Sequence, residues 1–298
     1  KLNIALTAAT AGIGVQNDGV GDTFLIETTP LPDPSGQSVN FTVDGVLLGG
    51  IAVDKINIVT VEGSNDSDTL TVDSTNGAVP TLILFDGGTF GTDSLVLQGG
   101  TATSDVYTIG AVPGSGTSTI VIGGQTQTVD FVNLEPVYDG VSGPLTVNAN
   151  DADNAIDYRV GPNSTVVTGW NPAGRVTGEV SIDNAEFIEF TNKGILTINA
   201  GAGSDEINLN NSTATASYPV TSIVVNGGDP SASDTLIVNG TTGADTIAVS
   251  SLTADSAQIS GAGPVTITGN TIEHLVINGR GGGDALTFNT PAGGDIVT

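Results

Sequence analysis

Apolar and polar residues alternate through most of the chain, as in Thr246-Ile247-Ala248-Val249, Leu286-Thr287-Phe288 and Leu70-Thr71-Val72. A period of two puts the apolar set on one face of an extended strand. No stretch sustains the 3.6-residue period of an amphipathic helix. Val, Ile and Thr fill the alternating positions, where β-branched side chains suit a pleated, half-buried surface, while Gly, Asn, Asp and Ser gather between them as turn formers. The pattern predicts an all-β protein.

One motif recurs nine times: two apolar residues two apart, a polar residue or Gly, a short loop, an Asp, then two more alternating apolar residues. The segment from Leu275 to Phe288 is its clearest copy. Copies begin at Ile13, Val59, Ile83, Leu95, Leu145, Leu196, Ile223, Leu236 and Leu275. Their 32 distinct flanking positions are all apolar or aromatic, where the chain's 38% hydrophobic content would give about 12. Corresponding starts lie 130 to 141 residues apart, so the chain reads as repeat unit 1 over 1–144, repeat unit 2 over 145–274, and the start of a third over 275–298. Ending one strand into a new unit, it reads as a segment of a longer array.

Successive copies are separated by 46, 24, 12, 50, 51, 27, 13 and 39 residues, close to multiples of a 12- to 13-residue strand and bend. Such increments predict a repetitive β-solenoid, a parallel β-helix-like stack in which inward Val, Ile and Leu make a continuous core. Tandem immunoglobulin-like β-sandwich modules are the competing arrangement. They fit less well, because each unit holds roughly a dozen short strands. The stretch Pro30-Leu31-Pro32-Asp33-Pro34 and the segment from Gly161 to Gly178, with Trp170, read as loops outside the regular stack.

Charge narrows the function classes. The chain has 32 acidic and 6 basic residues, a formal charge of -26, with only 13% charged residues. The acidity comes from the scarcity of Lys and Arg. Nucleic-acid and anionic-membrane binding both need clustered basic residues, so neither is expected. No apolar stretch is long enough for a membrane-spanning helix. Lys1 to Gly14 lack the pattern of a secretion signal. The absence of Cys excludes disulfides, thiol catalysis and Cys-based metal sites.

The loops resemble the glycine-aspartate nonapeptides of haemolysin-type (RTX) calcium-binding repeats. Asp93, Asp205, Asp245 and Asp284 take the Asp position, with Gly91, Gly203, Gly243 and Gly282 two residues before. Asp68, Asp22, Asp234 and Asp105 keep the Asp without that Gly, and Asn154 replaces it. The copies are never nine residues apart, a departure from the family's contiguous half-sites. The resemblance implies calcium as a cofactor, held by Asp carboxylates and loop carbonyls. Independently, carboxylates stacked about 4.8 Å apart repel by about 0.9 kcal/mol in bulk water, which a cation would relieve. Asp151, Asp153 and Asp157, with Asn148 and Asn150, form the densest oxygen cluster in the sequence. The competing reading makes each Asp a turn former that binds loop amides.

No catalytic constellation stands out, and the chain is not expected to be an enzyme. The lone His274 sits in the strand pattern Glu273-His274-Leu275, and the basic residues are scattered. Few basic residues, no Cys or Met, and tandem β repeats together resemble giant repetitive bacterial cell-surface proteins. That resemblance implies an extracellular structural role in a surface layer, fibre or adhesin stalk that self-associates. A carbohydrate- or partner-binding adhesin module near Trp170 is the second expectation, and a β-helix polysaccharide lyase or hydrolase the third.

Overall fold

The computed structural model describes residues 1–7, 19–29, 37–164, 169–171, 173–210, 218–229, 233–253 and 255–289. The proline stretch 30–34 lies outside them, as does Ile13. Of the loop 161–178, residues 165–168 and 172 also fall outside.

The described residues form two large, mostly parallel sheets. The first sheet contains β1 (Leu2–Thr7), β5 (Ile56–Glu62), β7 (Leu82–Asp86), β9 (Ser104–Ile109), β10 (Gly116–Ile122), β11 (Gln125–Val132), β13 (Gly143–Asn148), β17 (Lys193–Gly201), β19 (Ser222–Gly228), β21 (Thr246–Thr253), β22 (Ser256–Ser260), β23 (Thr266–Asn270) and β25 (Ala285–Asn289). The second contains β2 (Thr23–Thr28), β3 (Ser38–Val43), β4 (Val46–Ala52), β6 (Thr69–Asp73), β8 (Ser94–Gln98), β12 (Val137–Asp139), β14 (Ala155–Val160), β15 (Gly178–Ile182), β16 (Ile188–Phe190), β18 (Glu206–Asn210), β20 (Thr235–Asn239) and β24 (His274–Asn278). Among the described residues the only helical turn is a 3-10 segment, Val53–Lys55.

The chain passes from one sheet to the other and back, so consecutive coils pair in parallel: β5 with β7, and β6 with β8. Period-two alternation explains the core. In β6 Leu70 and Val72 are buried, and in β7 Ile83 and Phe85, while their neighbours face outward. Inward residues of both sheets join one continuous apolar cluster. This is a repetitive β-solenoid. The parallel ladders exclude immunoglobulin-like modules, whose sheets are antiparallel.

Among the described residues, regular coiling is interrupted by four three-stranded antiparallel meanders: β2-β3-β4, β9-β10-β11, β14-β15-β16 and β21-β22-β23. At the second, the chain leaves β8, takes a place two strands ahead as β9, and folds back through β10 to β11, which pairs with β7. The long intervals of about 50 residues are therefore one coil plus a hairpin. The pairing order recurs every twelve strands. The first sheet runs β1-β5-β7-β11-β10-β9 and then β13-β17-β19-β23-β22-β21; the second runs β4-β3-β2-β6-β8-β12 and then β16-β15-β14-β18-β20-β24.

Candidate functional site: the carboxylates at the bends

The bends that lead into the second sheet carry the predicted Asp residues just before β2, β6, β8, β18 and β20. Parallel stacking aligns these positions, and the side chains of Asp68, Asp93, Asp205 and Asp234 each bond the backbone of the neighbouring coil. Asp68 Oδ1 accepts from the Asp22 N–H at 2.6 Å, and Asp93 Oδ1 from the Asp68 N–H at 2.7 Å. A second run continues the scheme: Asp205 Oδ1 accepts from Asn154 N–H at 2.8 Å, Asp234 Oδ1 from Asp205 N–H at 2.9 Å, and Glu273 Oε2 from Asp234 N–H at 2.9 Å. Asp245 and Asp284 lie on the opposite edge, before β21 and β25, where Asp284 Oδ1 accepts from Asp245 N–H at 3.0 Å. A carboxylate also fastens its own loop: Asp68 Oδ2 accepts from Ser64 N–H, and Asp245 Oδ2 from Thr241 N–H.

At two of these bends the glycine two residues earlier follows from the same stacking. Gly91 has φ +100°, and a Cβ there would lie 2.3 Å from the carbonyl oxygen of Asp66 in the adjacent bend. Gly203, at φ +110°, would meet the Ala152 carbonyl oxygen at 2.6 Å. Only glycine lets the two backbones approach this closely.

Burial shapes the chemistry of these acids. Removal from water pushes the Asp93 carboxyl up to about 7, assisted by the charges of Asp68, Glu135 and Asp86 and opposed by the Asp68 N–H bond. Burial likewise pushes Asp205 up to about 6 and raises Asp234. Asp205 Oδ2 and Asp234 Oδ2 are buried without a hydrogen-bond partner.

Asp151, Asp153 and Asp157 do not converge. Asp151 Oδ1 accepts from Ala202 N–H at 3.3 Å and Asp153 Oδ1 from Ser204 N–H at 2.8 Å, each tying its bend to the next. Asp157 faces outward on β14 and accepts from Asn208 Nδ2 at 2.8 Å. Among the described residues no group of three His, Cys, Asp or Glu side chains is placed to hold a metal.

Three features lie beyond the sequence reading. Asparagines at strand ends form ladders: Asn199 donates to Asn148, Asn226 to Asn199 and Asn270 to Asn226, at 2.7, 2.7 and 2.9 Å. Trp170 is buried against Tyr138 with ring centroids 5.1 Å apart, in a small cluster with Val96. Its indole Nε1 donates to the Ser164 carbonyl at 3.3 Å. Finally, Asp105 lies within β9, buried in the core, and forms an ion pair with Lys193. Its sequence context is that of a bend Asp; only the backward fold of the meander turns it inward.

No protein-family model matches the chain, and neither a curated protein nor a solved structure is similar to it.

Proposed function

We propose that the chain is a structural segment of an extracellular bacterial surface layer, fibre or adhesin stalk, built to extend by end-to-end stacking of its twelve-strand repeat. The observation that carries this reading is the equivalence of the two exposed edges of the second sheet. In the twelve-strand cycle β24 holds the place of β12, and β4 the place of β16. Inside the chain β12 and β16 pair in parallel, so β24 of one copy offers the edge that β4 of another can take. Apolar side chains accompany these ends: Leu286 and Phe288 on β25 are 47% and 45% exposed, and Leu47 on β4 is 59% exposed. The scarcity of Lys and Arg, 6 against 32 acidic residues, is the compositional feature shared with the repetitive bacterial surface proteins that the sequence resembles. No catalytic role is proposed. Sedimentation and electron microscopy at rising protein concentration test this reading. End-to-end oligomers or filaments are expected; a monomer at millimolar concentration would overturn it.

A second reading, calcium at the bends, is favoured by one observation: the unpartnered buried oxygens of Asp205 and Asp234. A cation there would give these oxygens a partner and offset the burial that raises both carboxyls. At pH 8, calcium is then expected to raise the melting temperature and EGTA to reverse the gain. Identical melting curves with and without calcium would leave the Asp residues as hydrogen-bonding turn formers alone.

A further inference from the structure

The apolar core is interrupted by a compact group of charges. Lys193 opens β17 with its Nζ buried, 2.6 Å from Asp105 Oδ2 and 2.8 Å from Asp139 Oδ1, and all three side chains are 0–1% exposed. Asp105 comes from β9 and Lys193 from β17, with β13 between them in the first sheet; Asp139 ends β12 in the second. The residue of β13 in register with Lys193 is Gly143, so no intervening side chain stands beside the amine.

The fold does not need charges here. Matching strand registers one cycle away places Ile56 at the position of Lys193, Ile247 at that of Asp105 and Ile277 at that of Asp139. A buried ionic triad is usually no more stabilising than apolar residues of similar volume, and often less. Stability therefore gives no reason for three ionisable groups where isoleucines serve. Reactivity does.

We propose that Lys193 and Asp105 condense, without external help, into a side-chain amide, with Asp139 as the catalytic base. Asp139 first takes a proton from the Lys193 ammonium, leaving a neutral amine beside two carboxylic acids. The group carries no net charge before or after this transfer, which suits dry surroundings. The amine lone pair then attacks Cγ of Asp105 and forms the C–N bond. As the C–O bond breaks, Asp139 gives its proton to the departing hydroxyl and takes one from the nitrogen. The products are the amide, one water and a protonated Asp139. No oxidant or cofactor enters, and fixed proximity replaces the activation that free acids and amines require.

The surroundings prepare these proton positions. Burial, followed by the charge of Asp139, raises the Asp105 carboxyl well above the usual range, which keeps it the neutral electrophile. Burial lowers the Lys193 pKa, but the two carboxyl groups outweigh it and raise the value overall, so the ammonium keeps its proton from solvent, and the transfer that frees the amine is an uphill step that only the contact with Asp139 Oδ1, 2.8 Å away, opens. Asp139 Oδ1 also accepts from Val141 N–H at 2.9 Å, whereas its Oδ2 has no partner and is open to the Asp105 proton. The resulting bond would clamp β9 to β17 across β13, closing a span of 88 residues.

Mass spectrometry of the purified, denatured chain tests this directly. The expected mass is about 18 Da below that of the sequence, the loss of one water. Trypsin cuts after Lys193 only if the amine is free. The expected digest therefore keeps 176–280 intact and joined to 56–159, which distinguishes the amide from dehydration elsewhere. A full sequence mass with cleavage after Lys193 would overturn the proposal. Asp105→Asn should still join, losing about 17 Da as ammonia. Asp139→Asn should not join; an ammonia-losing junction at position 139 would refute the assigned roles.

Discussion

Raising the pH from 5 to 8 should destabilise this protein, although carboxylates usually make stability rise over the acidic part of that range. Three buried acids account for the reversal. Asp93 is pushed from an ordinary 3.8 up to about 7, Asp205 from 3.8 to about 6, and Glu186 from 4.5 to about 8, each mainly by burial. Between the ordinary and the raised values the folded chain holds protons that the unfolded chain has released. Their contribution is fully present below the unfolded values and is lost as pH rises through the folded ones. Each excess proton changes the unfolding free energy by about 1.4 kcal/mol per pH unit. Allowing for solvent screening at the bends, the set should lose about 3 kcal/mol between pH 5 and 8. For a chain of this size that corresponds to a fall of about 5 °C in Tm. Calorimetry at constant ionic strength with a chelator present measures it. Asp93→Asn, which keeps an oxygen for the Asp68 amide, should flatten the slope between pH 5 and 7. A Tm that is level or rises from pH 5 to 8 would refute the reasoning.

Two further predictions concern the ladders. Asp68→Ala removes the acceptor of the Ser64 and Asp22 amides together and should cost about 2–5 kcal/mol in denaturant unfolding. Asn226→Ala breaks one rung as donor and another as acceptor in a half-buried position; a loss of about 1–2 kcal/mol by the same measurement is expected.

Alternation of apolar residues made the strands and their inward faces legible in the sequence, because burial on one side of a pleat leaves a period of two. The equivalent bend positions were legible for the same reason: each Asp stands at a fixed offset from residues such as Leu70 or Ile207 that must point inward. Strand direction left no such mark. β3 and β10 alternate as β6 does, yet pair antiparallel, and only the copy intervals near 50 residues hint at an added hairpin. Asp105 shows the consequence. Its flanks match those of the bend acids, but its partner Lys193 lies 88 residues away, and local pattern carries no information about that distance. Asn199 and Asn226 escaped for a related reason, since a ladder exists only once coils are in register.

The meanders bear on how the chain can fold. A plain solenoid grows by adding each strand to a finished edge. Strand-by-strand growth would here leave β9 in its place with the two positions behind it empty until β10 and β11 filled them. Its near neighbours in sequence can form the hairpin before either edge is engaged, because those contacts close short loops and cost little entropy. Growth should therefore proceed in three-stranded blocks that form locally and dock whole. Each block also fixes the register of the coils on both sides, which limits slippage to the short parallel runs between blocks.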